Sequence, residues 1–137
     1  MKKSALLFSL MVFLLYGCAT MPNEADLKES LRSTAEEYWE LRIQDKYEET
    51  YRMEERTDLP QFDFYRDRVK LIKNFDIQSH SIEEITVEGN NGSVKVRFSF
   101  IIPQAPSPVP FSDFILDQWV FKNRRWWHVL PSAFTAP

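Results

Sequence analysis

The chain has 137 residues, with Lys+Arg 17 against Asp+Glu 20 for a formal net charge of −3, and a single cysteine. That length suits one ordinary domain, the acidic balance argues against nucleic acid as a partner, and a lone thiol excludes an internal disulfide. With aromatics at 15% and only 3 glycines, cohesion must come from a packed core.

The first element is a leader. Met1-Lys2-Lys3 is a short basic region, residues 4–16 form an apolar run too short to suit a spanning helix, and Gly17-Cys18 follows. This is the layout of a secretory signal. The residues alone also fit an uncleaved anchor helix or an ordinary signal peptide cut nearby. Leu15-Tyr16-Gly17-Cys18 resembles the lipobox of bacterial lipoproteins, with Tyr16 bulkier than that family usually carries there. The resemblance implies cleavage before Cys18 and acylation of its thiol and new amine. Acyl chains contribute about 0.8 kcal/mol per buried methylene, so several anchor a protein stably to a lipid bilayer. By the same resemblance, Ala19 in place of Asp implies the outer membrane, facing the periplasm, in a Gram-negative host. Losing Lys2 and Lys3 takes the charge from −3 to −5. The expected organisation is residues 1–17 as signal peptide, 18–23 as lipidated cysteine and tether, and 24–137 as a single domain.

Asn23 is a candidate helix cap, with Glu24 and Asp26 favourable in a first turn. Leu27, Leu31, Ala35, Tyr38 and Leu41 recur at helical spacing and Trp39 widens the stripe, so the pattern predicts a helix over 24–43. Asp45 and Glu48 read as a capping box opening a second helix, with Tyr47 and Tyr51 on one face. Asp58-Leu59-Pro60 marks a third start, with Phe62, Tyr65, Val69 and Ile72 as its stripe. Asp63 and Asp67 fall on its solvated face.

The period then changes to two. Residues 77–88 end in alternation, Gly89-Asn90-Asn91-Gly92 is a turn, and Val94, Val96, Phe98 and Phe100 alternate with polar residues after it. Four prolines between 103 and 110 predict a loop or edge excursion. Strands over 112–122 and 125–130 complete a meander. Helices first and an antiparallel sheet second argue an α+β fold, with the N-terminal helices packed on a curved sheet of about four strands.

"YWELRIQDKYEETYRM" followed by a sheet ending in "DQWVFKNRRWWHV" resembles the nuclear-transport-factor-2-like superfamily, a cystatin-like α+β cone. The matching features are Tyr38-Trp39, Asp45-Lys46-Tyr47, and Trp119 with Trp126 or Trp127. The final turn carries Asn123-Arg124 where the family usually has an Asp-Gly-like pair. The resemblance covers roughly residues 24–132 and implies a cone whose mouth often holds a ligand. Some relatives are isomerases, dehydratases or hydrolases, and many are binding or dimerisation modules, so the fold does not give the function.

If Asn123-Arg124 form a two-residue turn, Phe121 faces Trp126 and Trp119 faces His128. Ile115, Asp117, Trp119, Phe121, Trp126, His128 and Leu130 then share one face. Asp117 becomes a diagonal neighbour of His128, within side-chain reach. An Asp orienting a His on an aromatic wall suits general acid/base chemistry; a buried His satisfied by one Asp is the commoner arrangement, and a register one residue different would part them. Tyr38, Trp39, Phe98, Phe100, Trp119 and Trp127 are mostly core by composition. Tyr38, Phe98, Trp119, Trp126 and His128 are the candidates to line a ligand pocket. His80 reads as exposed, and Lys122, Arg124 and Arg125 form a basic turn. The "PQAPSPVP" loop is a stiff connector or a segment for a partner's groove. No cluster has metal-ligand spacing, and no phosphate loop, G-x-S-x-G or cysteine nucleophile occurs, so neither metal nor cofactor is expected.

Three functions fit. The first is a non-enzymatic envelope lipoprotein binding an apolar small molecule or a protein partner, with a homodimer through the sheet as one form. The second is a cone enzyme using His128 and Asp117. The third is an architectural subunit of an envelope complex.

Overall fold

The computed structural model describes residues 22–70, 76–103, 106 and 109–135. The leader, Cys18, Ile72 and four positions of the proline-rich loop lie outside these. Three helices, α1 (Glu24–Ile43), α2 (Tyr47–Met53) and α3 (Phe62–Lys70), precede an antiparallel sheet. Its strands are β1 (Asp76–Glu88), β2 (Asn91–Ile101), β3 (Phe111–Lys122) and β4 (Arg125–Val129), and a one-turn helix α4 (Ser132–Thr135) follows. The strand order is β1-β2-β3-β4, a plain meander. The expected α+β class and four-stranded antiparallel sheet are what the chain forms. Among the described residues no helix is long and apolar enough to cross a membrane.

α1 begins where its cap predicts. Asn23 is extended and its side chain accepts from the Asp26 amide at 2.9 Å. Leu31, Ala35, Tyr38 and Trp39 form the buried stripe. Its end differs from expectation. Asp45 does not cap α2; it sits at φ 63 as the left-handed residue that closes α1. The Lys46 amide reaches Leu41 O at 2.9 Å and the Asp45 amide reaches Arg42 O at 3.2 Å, the paired bonds of a Schellman stop. The Asp45 carboxylate accepts from Tyr47 Oη at 2.6 Å, leaving α2 with no side-chain cap. A short polar Asp tolerates the left-handed region better than most residues, and that backbone demand outranks the capping box. α3 also starts later than Pro60. Gln61 O accepts from the Tyr65 amide, and Pro60 instead offers its carbonyl to Tyr51 Oη at 2.8 Å.

β1 carries irregularities between Ile77 and Ser79 and between Ile82 and Glu84. Such extra residues bend a strand and raise its twist, and β1 accordingly curls over α1. Glu83, at the second irregularity, points outward and clasps Arg97 and Lys95. The inner face is apolar: Val87, Val94, Val96, Phe98, Trp119 and Trp126 pack with the α1 stripe. Large rings each remove about 150–250 Å² from water, on the order of 4–6 kcal/mol apiece before conformational entropy is charged against it. A second cluster of Tyr47, Tyr65, Val69 and Leu130 seats α2 and α3 beside β4.

The β3–β4 register is the one the two-residue turn dictates: Trp119 opposes His128 and Phe121 opposes Trp126. Asn123 and Arg124 have φ 53 and 63, as a type I′ turn requires. Trp127 is the exception to the expected core. Alternation turns it outward, half-buried, with the Arg125 guanidinium 3.6 Å from its ring centre and its indole N–H on Lys122 O. Ile115 lies on the inner side of β3 yet stays exposed, because β4 does not extend that far.

Two substitutions test this backbone. Arg124→Gly relieves a left-handed non-glycine residue and should stabilise the chain by about 1 kcal/mol, read as a rise in thermal midpoint. Gly92→Ala should do the reverse. A Cβ there would run into Leu31 Cδ2 and sit 3.0 Å from Trp126 Cζ3, and overpacking of that kind costs roughly 1–3 kcal/mol.

Candidate functional site

The polar residues on the inner face meet in one buried cluster. His128 comes from β4 and Asp117 from the next strand, diagonal to it. α1 contributes Tyr38 and Trp39 one turn before its end, and α3 contributes Tyr65. The remaining member, Glu54, arrives by backbone pairing. The chain leaves α2 extended, Glu54 bridges to His128, and the Glu55 amide donates to His128 O at 2.7 Å. That pairing also covers the outer edge of β4.

Glu54 is the hub. Its Oε1 accepts from Tyr38 Oη at 2.7 Å and Tyr65 Oη at 3.0 Å, and its Oε2 lies 2.7 Å from His128 Nδ1. His128 Nε2 faces Asp117 Oδ1 at 3.5 Å, an ion-pair distance. Asp117 is held from the other side by Trp39 Nε1, 2.6 Å from Oδ2. Arg42 reaches in from the rim, donating to Tyr38 Oη at 2.7 Å and lying over the Tyr38 and Trp39 rings. Thr50 Oγ1 is 2.8 Å from Tyr65 Oη.

Burial alone would push the His128 imidazole toward its neutral form. Glu54 and then Asp117 outweigh it, and the pKa rises from 6.5 to about 9. Tyr38 stacks on the imidazole with ring centres 4.4 Å apart, a further stabilisation of the cation. At neutral pH His128 is therefore an imidazolium, flanked by Glu54 and Asp117. Burial likewise holds the Tyr38 and Tyr65 hydroxyls well above their usual range, so both remain donors.

His128 and Asp117 do share the inner face. Their surroundings, however, are interior: Glu54 is 0% exposed, His128 2% and Asp117 6%. A general acid or base must come within hydrogen-bond reach of a substrate proton. Here Nδ1 is committed to Glu54, and Nε2 is walled in by Asp117, Trp119 and Tyr38. Tyr38, Phe98 and Trp119 are buried in the same core, so four of the five expected pocket residues are packing residues. Of the five, Trp126 lines the larger of the two grooves described.

That concavity is a groove of about 1350 Å³ between the first half of α1 and the β3–β4 tip. Leu27, Met53, Phe121 and Trp126 supply its apolar surface, and Lys122, Arg124 and Arg125 its basic rim. Trp126 Nε1 donates to Ser30 Oγ at 3.0 Å, which fixes the floor. A shallower groove of about 710 Å³ lies between α1 and β1, lined by Glu36, Glu37, Glu40 and His80. His80, expected to be exposed, is half-buried there because β1 curls over the helix. Among the described residues neither groove touches His128 or Asp117, and no group of His, Cys, Asp and Glu is placed to hold a metal ion.

No family model and no curated protein sequence matches the chain. Among solved structures it is similar to a SEC-C motif-containing protein from Rhodopseudomonas palustris, at TM-score 0.53 and 13% identity, over 67% of this chain and 69% of that one. A Campylobacter jejuni protein described as a nuclear-transport-factor-2-like transpeptidase is similar at TM-score 0.49 and 14% identity, over 72% and 96%. The Rhodopseudomonas likeness is one of fold alone.

The cluster makes stability depend on pH in a set direction. A folded pKa of about 9 against 6.5 unfolded contributes about 3 kcal/mol. That contribution is complete below pH 6.5 and is lost as pH rises through 9, so denaturant midpoints should fall across this window. Glu54→Gln leaves the other buried groups uncompensated and should cost roughly 3–5 kcal/mol; an unchanged midpoint would remove the hub role.

Proposed function

We propose that this chain is a lipid-anchored bacterial envelope protein with a non-catalytic, nuclear-transport-factor-2-like domain that takes an apolar small molecule in the groove between α1 and the β3–β4 tip. The observation that carries the ligand reading is a separation. The expected acid/base pair, His128 and Asp117, is sealed in the core, while the larger of the two grooves described lies elsewhere and is lined by Leu27, Met53, Phe121 and Trp126. Ligand pockets are mostly apolar with a few polar groups to fix orientation. Ser30, Thr34, Asp26, Glu37 and the basic residues Lys122, Arg124 and Arg125 supply those groups here.

The anchoring reading rests on the leader and Cys18. Pro22 lines the groove, and the four residue steps from Cys18 to Pro22 span at most about 14 Å. An acylated Cys18 would therefore hold the groove close to the bilayer surface, where apolar molecules partition. In a Gram-negative host that surface is the periplasmic face of the outer membrane.

Two experiments separate the parts. Metabolic labelling with a radioactive fatty acid should mark the wild-type chain and leave Cys18→Ser unlabelled; an unlabelled wild type would refute the anchor. For the groove, 1-anilinonaphthalene-8-sulfonate should bind the folded chain with a rise in fluorescence. Thr34→Trp, which fills the groove from α1, should weaken that binding by about tenfold or more. Equal binding by the variant would place the probe elsewhere.

A further inference from the structure

β3 is twelve residues long and β4 only five. β4 pairs with β3 from Gln118 to Lys122. After Leu130 comes Pro131, which has no N–H to donate, and the chain leaves the sheet for α4. The stretch 111–117 therefore has β2 on one side and no strand on the other among the described residues. Amide directions along β3 follow from one bond. The Phe121 amide donates to Asn90 O on the β2 side, so odd-numbered amides face β2 and even-numbered ones face away. The amides of Ser112, Phe114 and Leu116 thus point out of the sheet. That of Phe114 is met by the Asp113 side chain at 2.8 Å.

The same stretch exposes apolar side chains. Phe111 is 46% exposed, Phe114 45% and Leu116 59%, with Val109 and Ile115 beside them. The one other exposed large hydrophobic among the described residues is Val129, on the adjoining strand. Monomeric proteins guard such edges with lysine, proline or short strands. Residues 111–117 hold no Lys, Arg or Pro. β4's own edge, by contrast, is met at His128 by Glu54 and Glu55.

We infer that this bare edge of β3 pairs antiparallel with the same edge of a second copy of the chain, in a register centred on Phe114. A two-fold pairing of identical strands sets one residue opposite its own copy. Centring on Asp113 would oppose two carboxylates, and centring on Ile115 would set Asp113 against the partner's Asp117. Centring on Phe114 sets Asp113 against the partner's Ile115 and Ser112 against the partner's Leu116. It uses all seven unpaired residues, three on each side of the axis. It ends where the partner's Gln118 would meet Pro110, a residue with no amide to pair. The outward amides of Ser112, Phe114 and Leu116 each gain a carbonyl, with Phe114 exchanging its Asp113 contact for one. Phe114 and Leu116 of both copies then close over one another on the convex face. The pairing is independent of the groove and of acylation.

The test is crosslinking in the full chain, solubilised in detergent, with Cys18→Ser removing the native thiol. Phe114→Cys should join two chains through a short bis-maleimide. Phe111→Cys should not, since six residues of offset leave its two copies roughly 20 Å apart. By sedimentation equilibrium the parent chain should be a dimer, and Phe114→Lys should weaken it by about tenfold or more. A parent chain that stays monomeric overturns the pairing, as does equal crosslinking at 111 and 114, or a Phe114→Lys variant that is still folded by circular dichroism and dimerises as tightly as the parent.

Discussion

The carboxylate of Glu54 is the point where the fold is tied together. It joins α1 through Tyr38, α3 through Tyr65 and β4 through His128, elements that contribute to two separate apolar clusters. A buried carboxylate is expensive to desolvate and is tolerated only when its lone pairs are met and an opposite charge is close. Two phenols and an imidazolium satisfy both conditions. The reciprocal constraint is as strong: the imidazolium needs Glu54 and Asp117, and Asp117 needs Trp39. Each group has an acceptable environment only when the others are in place. The network therefore specifies one relative arrangement of helices and sheet where apolar packing alone would tolerate several.

The groove follows from this arrangement. With its C-terminal half fixed by Tyr38 and Trp39, α1 lies across the concave face. Gly92, lacking a Cβ, lets Leu31 and Trp126 close on β2. Toward its N-terminus the helix diverges from the β3–β4 tip, held at one point by the Trp126–Ser30 bond, and the gap left there is the groove. Packing is tight at one end of the helix and open at the other. His128 and Asp117 lie at the tight end, which is why they are sealed.

Much of this was legible because its causes are local. The stripe of α1, its Asn23 cap and the strand alternation are patterns within single elements. The register that sets Asp117 beside His128 came from the two-residue turn at Asn123-Arg124 and the strict alternation of strands. What escaped is long-range or conformational. Glu54 sits in "RMEER", a run that reads as solvated helix end, and nothing nearby announces a partner 74 positions later. Tyr65 was legible as an inward residue of α3, but not as a donor to that carboxylate. Asp45 was misread because a capping box and a left-handed stop draw on the same short polar residues. The choice between Trp126 and Trp127 was settled by the parity of the turn, which puts the former inside. Tyr38, Phe98, Trp119 and His128 were expected around a pocket because aromatic walls line cavities and cores alike, and composition does not separate the two.

His128 is a structural residue, charged through neutral pH and held between Glu54 and Asp117. Titrating the imidazole of the folded chain by nitrogen-15 NMR tests this directly, since the chain has only two histidines and His128→Gln assigns the signal. Both ring nitrogens should remain protonated through neutral pH, and the ring should titrate near 9. A His128 that titrates at or below 6.5, as an accessible acid/base group would, contradicts it.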